Sequence, residues 1–210
     1  VRKGWVDYII PQVYWNIGHQ AADYAELTHW WGKHTPQKKA QLYIGQHAAR
    51  TMDGGQLEEK LALSRQNSSG NSWWSGEDLV KNYKGLGDSL ITSYQTYRAL
   101  LPEVHGALGK TKAPAAISLI LEDTNEDGHM ILWDDYREPS DPETAFYYAV
   151  YAFPEGTRPD ISDVRYLMSI STNPYFILPS MERGTTYRYM VTAINRFWQE
   201  SKPASIRISY

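Results

Sequence analysis

The first hundred residues alternate between short apolar runs and amphipathic stretches. Val6 to Val13 is β-branched and aromatic with little charge, which is the pattern of a strand covered on both faces, as in a parallel sheet packed between helices. Pro11 cannot donate to a ladder, so the strand is expected to leave its pairing there and become a loop. From Ala21 the period is helical: Tyr24, Leu27, Thr28 and Trp31 fall at i, i+3, i+4 and i+7, with Gly32 and Pro36 expected to end the helix. Gln41 to Ala48 reads as a second buried strand. Gln56 to Arg65 reads as a second helix with Leu57, Lys60, Leu61 and Ser64 on one face, and Ser72 to Trp74 as a third strand. Ser75 and Asp78 have the spacing of an acidic capping box and open a further helix through Leu79, Tyr83, Leu86, Leu90, Tyr94 and Tyr97, broken near Gly85 and Gly87. Strand followed by helix, three times over, predicts parallel strands with right-handed crossovers.

The pattern changes after Pro102. Pro102 to Pro114 is rich in Gly, Pro and Lys without periodicity, so a first domain over 1–102, a linker over 103–113 and a second domain over 114–210 are expected. Beyond the linker come only short apolar runs: Ala116–Leu121, Met130–Asp134, Phe146–Phe153, Val164–Ile170, Tyr175–Leu178, Tyr187–Ala193 and Ser205–Ser209. Turn clusters separate them, which predicts a β-sandwich. The fold class expected is therefore α/β plus all-β.

Composition narrows the function. The chain has 210 residues, 42% hydrophobic and 21% charged, with a net charge of -3, values of a folded domain without the basic excess of a nucleic-acid partner. Nucleic acid is accordingly not expected as a partner. There is no Cys, which removes disulfides, thiolate metal sites and thiol nucleophiles from consideration. No run reaches the roughly 20 apolar residues of a membrane span, no signal peptide opens the chain, and the start at Val1 is expected to be that of a fragment. Aromatic usage is the informative departure: 8 Trp and 16 Tyr against 4 Phe favour rings that carry a polar handle, as surfaces that stack on ligands require.

Ligands of αβ sheets bind at the carboxyl ends of the strands. Gln12, Tyr14, Trp15 and His19 follow the first strand, Tyr43 and His47 belong to the second, and Trp74 closes the third. Tyr14, Trp15 and Trp74 could stack on sugar faces while Gln12, His19, Tyr43 and His47 bond hydroxyls. The competing reading makes Tyr14, Trp15 and Trp74 packing residues, and Gln12 a loop cap. Both histidines read as neutral hydrogen-bonding residues rather than metal ligands, because no carboxylate lies at ligand spacing. Trp30 and Trp31 read as helix core. Asp123-Thr124-Asn125-Glu126-Asp127-Gly128 has the letters of a half calcium loop, with Asp134 where an acidic ligand would close it, but a Gly-terminated hairpin turn between strands explains the same residues. No metal and no cofactor is expected.

Two family resemblances follow from particular residues. Trp133, Tyr147, Val150, the run Leu178 to Tyr187 and then Val191, Ala193, Asn195 and Ser201 resemble the fibronectin type III pattern over 114–210. That resemblance implies a tyrosine corner at Tyr187, whose phenol bonds back to upstream backbone. The stretch GWVDYIIPQVYW (Gly4 to Trp15), with His19, Ala22-Asp23-Tyr24, Leu27, Trp30-Trp31, Leu42-Tyr43-Ile44-Gly45, Trp74-Ser75 and Ala99 to Pro102, looks like the later part of the glycosyl hydrolase-like 10 family. The resemblance implies the C-terminal three βα units of an incomplete (β/α)8 TIM barrel. It also implies a glycoside hydrolase acting on bacterial envelope or cell-wall polysaccharide, and an extracytoplasmic location in the periplasm or at the cell surface.

The chain departs from that family in one respect that matters. Glycoside hydrolysis uses two carboxyl groups across the scissile bond, and none of the three strand ends carries Asp or Glu. Asp7 precedes the site face, while Asp23 and Glu26 belong to a helix. The catalytic carboxylates are then expected upstream, leaving this chain with substrate-subsite residues, an accessory sandwich and no activity of its own. The alternative is a non-catalytic carbohydrate-binding or adhesion module. Three strands cannot close a barrel, so the exposed edge is expected to pair with another copy of the chain or to pack on the sandwich.

Overall fold

A computed structural model of the chain describes residues 1, 3, 5–35, 40–103, 111–134 and 137–210. They form two compact units, Val1–Thr96 and a second built from Tyr97–Glu103 and the chain from residue 111 onward. The expected linker falls largely on residues 104–110, outside the described residues.

In the first unit the expected alternation is present: β1 (Tyr8–Ile9), α1 (Tyr24–His34), β2 (Gln41–His47), α2 (Ala48–Asp53), α3 (Leu57–Asn67), β3 (Gly70–Trp74) and α4 (Gly76–Val80). A 3₁₀ turn at Tyr83–Gly85, α5 (Leu86–Ser89) and a π-type turn at Leu90–Tyr94 follow. The strands lie side by side as β1-β2-β3, every pair parallel. Strand β2 sorts its residues by face. Leu42 and Ile44 are fully buried against Val13 and Tyr24, while Tyr43 and His47, which point the other way, are half-buried.

Several element ends differ from expectation. The first strand is two residues long and continues only as a bridge from Gln12 to Gly45. It is not covered on both faces: Tyr8 is 60% exposed and Trp5 80% exposed, because β1 is the edge strand. Gly32 does not end α1 but lies within it, where a Cβ would meet the Asn67 carbonyl oxygen at 2.7 Å, so the glycine lets α1 and α3 approach. The helix closes instead at Thr35, whose N–H donates to the Trp31 carbonyl; Pro36 lies outside the described residues. Trp31 packs on the core, but Trp30 is half exposed and stacks on His34 at 4.4 Å, so it is not a core residue. Helix α2 was not anticipated. The capping box at Ser75 and Asp78 forms in both directions, and Gly85 takes the left-handed conformation that breaks the chain there.

The second unit is a sandwich of antiparallel strands: β4 (Ile120–Asn125), β5 (Gly128–Trp133), β6 (Tyr147–Pro154), β7 (Leu167–Ser171), β8 (Tyr175–Ile177), β9 (Thr186–Ile194) and β10 (Ala204–Ser209). They pair as a four-stranded sheet β10-β9-β6-β7 and a three-stranded sheet β4-β5-β8, a fibronectin type III-like arrangement. Trp133, Tyr148, Val150, Tyr189 and Val191 fill the space between the sheets. The alternate residues Ala149, Tyr151 and Phe153 form a second cluster under Leu100, Tyr166 and Trp198. The acidic stretch is the β4–β5 hairpin, with Glu126 and Asp127 at its tip and the Asn125 side chain accepting from the Asp127 N–H at 2.9 Å. Val164–Tyr166 is a 3₁₀ turn rather than the start of β7. The Tyr187 phenol makes no hydrogen bond among the described residues, so the expected corner bond is replaced. Its ring packs edge-on to Tyr210, and Thr185 Oγ1 closes the turn by donating to the Glu182 carbonyl at 2.6 Å.

One close approach holds the edge strand to the sheet. The Gly45 and Val13 N–H groups both donate to the Pro11 carbonyl, at 2.9 and 3.1 Å, and a Cβ on Gly45 would meet that oxygen at 2.7 Å. Gly45→Ala therefore either displaces β1 or strains β2. It is expected to destabilise this unit by about 1–3 kcal/mol, read from thermal melting of the helical circular-dichroism signal; an unchanged midpoint contradicts it.

Candidate functional site

Parallel pairing brings the carboxyl ends of β1, β2 and β3 to one edge of the sheet. His47 and Trp74 are register partners at the ends of β2 and β3, and Trp74 is 61% exposed with a cis peptide to Ser75. Tyr14 lies edge-on to His47, ring centroids 5.5 Å apart, and Trp15 tilts towards His19 at 6.4 Å. Gln12 is exposed beside Gly45. Tyr14, His47 and Trp74 therefore share the strand-end edge, and Trp15 with His19 forms a second pair on the loop after β1. Tyr43 does not join them. It is the third residue of β2, opposite Gly70, and its ring packs edge-on to Tyr8 at 6.1 Å, at the amino-terminal half of the strand. Burial raises its phenol pKa.

The loop from Tyr14 to Asp23 is held from below by α1 and α3. Gln56 clamps Ile17 in both directions, its side-chain oxygen accepting from the Ile17 N–H at 2.9 Å and its amide donating to the Ile17 carbonyl at 3.2 Å. Asp23 caps α1 by accepting from Ala25 and Glu26 N–H at 2.8 and 3.1 Å, and also bonds the Gly18 N–H. Those backbone bonds hold its carboxyl below the usual range. His47 is itself a cap, its Nδ1 accepting from the Arg50 N–H at 3.4 Å. Lys60 is fully buried, donating to Asn16 Oδ1 and Thr51 Oγ1, each at 3.3 Å.

Carboxylates near the strand ends are engaged elsewhere. Asp23 caps α1, Asp78 caps α4, Asp53 bonds Lys84 and Tyr83 at 2.6 and 3.0 Å, and Glu77 pairs with Lys81. No group of His, Asp and Glu able to hold a metal exists among the described residues. The edge thus offers aromatic faces, a Gln amide and imidazoles, which suit a neutral polyhydroxylated ligand and do not by themselves supply an acid and a base. Sequence reasoning missed Asn16 and Gln56 as loop supports and Lys60 as a buried cation. The available signal was Lys60 occupying a helix face otherwise made of Leu57, Leu61 and Ser64.

The fold and the edge define a parallel βα sheet with aromatic strand ends, joined in one chain to a fibronectin type III-like sandwich. Residues 1–60 match the model of the Glycosyl hydrolase-like 10 family, as the strand-end motif suggested. The chain is similar to Glycosyl hydrolase YngK of Bacillus subtilis, 28% identical over 216 residues that cover 96% of this chain and 41% of that protein. It is also similar to Glycosyl hydrolase DigH of Escherichia coli K12, 42% identical over 45 residues, 21% of this chain and 10% of that protein. Solved structures similar in part are FN3tt mut, with a TM-score of 0.34 and 14% identity over 47% of this chain and 97% of its own, and domains d3–d4 of rat CD45, with 0.36 and 14% over 48% and 52%. This chain spans about two fifths of the length of the Bacillus relative. Its similarity is thus to glycosyl hydrolases, over part of their length.

The buried cation gives a pH prediction. Burial, with the Arg50 charge second, lowers the Lys60 pKa from 10.5 to about 8. Between these values the unfolded chain holds a proton that the folded one has released, so this group's contribution to stability rises with pH across that window and is flat below it. Tyr24 acts in the opposite sense only above its ordinary value of 10, because burial raises its phenol. Lys60→Met is expected to remove the rise in urea midpoint expected of the unsubstituted chain over that window; the same rise in both proteins contradicts it.

Proposed function

We propose that this chain supplies the later βα units of a (β/α)8-type barrel of a glycoside hydrolase, and that its strand-end edge forms part of a glycan-binding cleft. The observation that carries the reading is the convergence of Tyr14, His47 and Trp74 at one sheet edge in a unit similar to the Glycosyl hydrolase-like 10 family. Gln12 and His19 extend the edge as hydrogen-bonding groups. Tyr43, on the open sheet face away from the edge, serves as a wall residue rather than a direct contact. The substrate proposed is bacterial envelope or cell-wall polysaccharide, and the location proposed with it, from the family resemblance, is extracytoplasmic, in the periplasm or at the cell surface. The sandwich acts as an accessory module.

Because the nearby carboxylates are engaged as caps and ion pairs, the acid and base come from strands other than these three. The 210-residue chain alone then binds glycan without cleaving it. Offered peptide-stripped cell-wall glycan, it is expected to retain the polymer in a pull-down and release no reducing ends, whereas a chain extended upstream to a full barrel is expected to release them. Cleavage by this chain alone contradicts the assignment of the carboxylates; failure to bind moves weight to an adhesion role.

The open sheet face gives a second expected behaviour. Edge strand β1 leaves Trp5, Val6, Tyr8 and Ile10 exposed, which favours pairing with a second copy of the chain. Sedimentation velocity is expected to show a species larger than the monomer whose share grows with concentration; a monomer at all concentrations rules this out.

A further inference from the structure

The candidate site leaves the buried Lys60 cation without a role. An ammonium with no access to solvent is costly unless it is paired, and among the described residues no carboxylate pairs with it. A methionine would fill the same volume without that cost, so the group's position is the feature to explain. Each element packed on Lys60 presents a distinct partner. From α1, the Tyr24 ring lies 5.0 Å from the ammonium and its phenol donates to the Lys60 carbonyl at 3.2 Å. From α2 come the Thr51 hydroxyl and the charge of Arg50. From the loop after β1 comes Asn16 Oδ1, at 3.3 Å.

Asn16 is the pivot of that loop. Its carbonyl accepts from the N–H groups of His19 and Tyr24, at 3.3 and 3.4 Å, and it sits between Trp15 and the clamped Ile17. Where Asn16 rests therefore determines where Tyr14, Trp15 and His19 stand. Gln56 fixes the next residue with groups that do not titrate. The bond from Lys60 is the part of the support that can be altered by removing a proton.

We propose that Lys60 is a positioning residue: its ammonium, acting through Asn16, sets the loop that carries Tyr14, Trp15 and His19, and glycan binding at the strand ends weakens when that proton is lost. The inference rests on the reading of those rings as glycan contacts. The neutral amine loses its attraction to the Tyr24 ring and keeps only uncharged hydrogen bonds, which are about half as strong as charge-assisted ones. The Gln56 clamp persists, so the loop shifts rather than detaches. The lowered Lys60 pKa brings the change to mildly alkaline pH.

Two readouts on the full 210-residue chain test this, one independent of ligand. The first is the indole N–H resonance of Trp15, assigned by its loss in Trp15→Phe and followed from about pH 6.5 to about pH 9.5. The second is affinity for peptide-stripped cell-wall glycan over the same range. The resonance is expected to move with a midpoint near the Lys60 transition while affinity falls about fivefold. Lys60→Met is expected to hold the high-pH position and the weaker affinity at every pH. Should that variant fail to fold, Asn16→Ala serves instead, because it removes the loop's acceptor and uncouples Trp15 from the titration. A Trp15 resonance that does not move, or that titrates unchanged in either variant, overturns the proposal. Titration of Trp15 without glycan binding at any pH leaves the positioning role intact and overturns the glycan reading alone.

Discussion

The approach of the Pro11 carbonyl to Gly45 is the constraint on which the first unit's site depends. Both Gly45 and Val13 donate to that one oxygen, which turns the chain out of β1 and starts the loop carrying Tyr14 and Trp15 beside the end of β2. A side chain at position 45 would occupy the oxygen's place. Two residues of paired strand are a weak tether, so the loop's position comes mainly from this contact, from the Gln56 clamp, from the Asp23 cap and from the Lys60 bond to Asn16. The exposed aromatic edge therefore has rigid backing although the residues that form it are themselves half open to solvent.

The same sheet divides its labour by face. One face of β2 buries Leu42, Ile44 and Gln46 under the helices, with the Gln46 amide donating to Asn71 at 2.7 Å. The other face carries Tyr43 and His47 beside the exposed Tyr8 and Trp74. Large apolar side chains left open on a sheet face mark a surface meant to be covered. That reading joins the proposed barrel, the proposed glycan cleft and the proposed self-association to a single structural fact. In the second unit the four-stranded sheet is packed on both faces, by Trp133 and Tyr148 on one side and Tyr166 and Trp198 on the other, while the three-stranded sheet leaves Leu121, Tyr175 and Ile177 exposed.

Much of the first unit could be read from the order of its residues. The period of β2, the apolar face of α1 and the capping box at Ser75 and Asp78 are local properties, and each formed as its letters imply. What could not be read depends on partners distant in sequence. The letters of Val6 to Val13 are the same whether both faces are covered or one is open, and only the sheet order makes this an edge. Tyr43, by contrast, is the third residue of β2, so its place away from the strand end was already legible from that strand's bounds. Helix α2, six residues beginning at the His47 cap, is too short to show a period. Gln56 and Lys60 belong to an ordinary helical pattern, and their contact with Ile17 and Asn16 arises only when α3 packs beneath the loop.

The central claim is that the strand-end edge, rather than the sandwich or the outer helices, contacts glycan. Titrating ¹⁵N-labelled chain with peptide-stripped cell-wall glycan and following its backbone and indole resonances tests this directly. The account predicts shifts concentrated at Gln12, Tyr14, Trp15, His19, His47 and Trp74, with Trp30 and the sandwich residues unmoved. Shifts confined to the sandwich, or to Trp30 and His34 on α1, would contradict it.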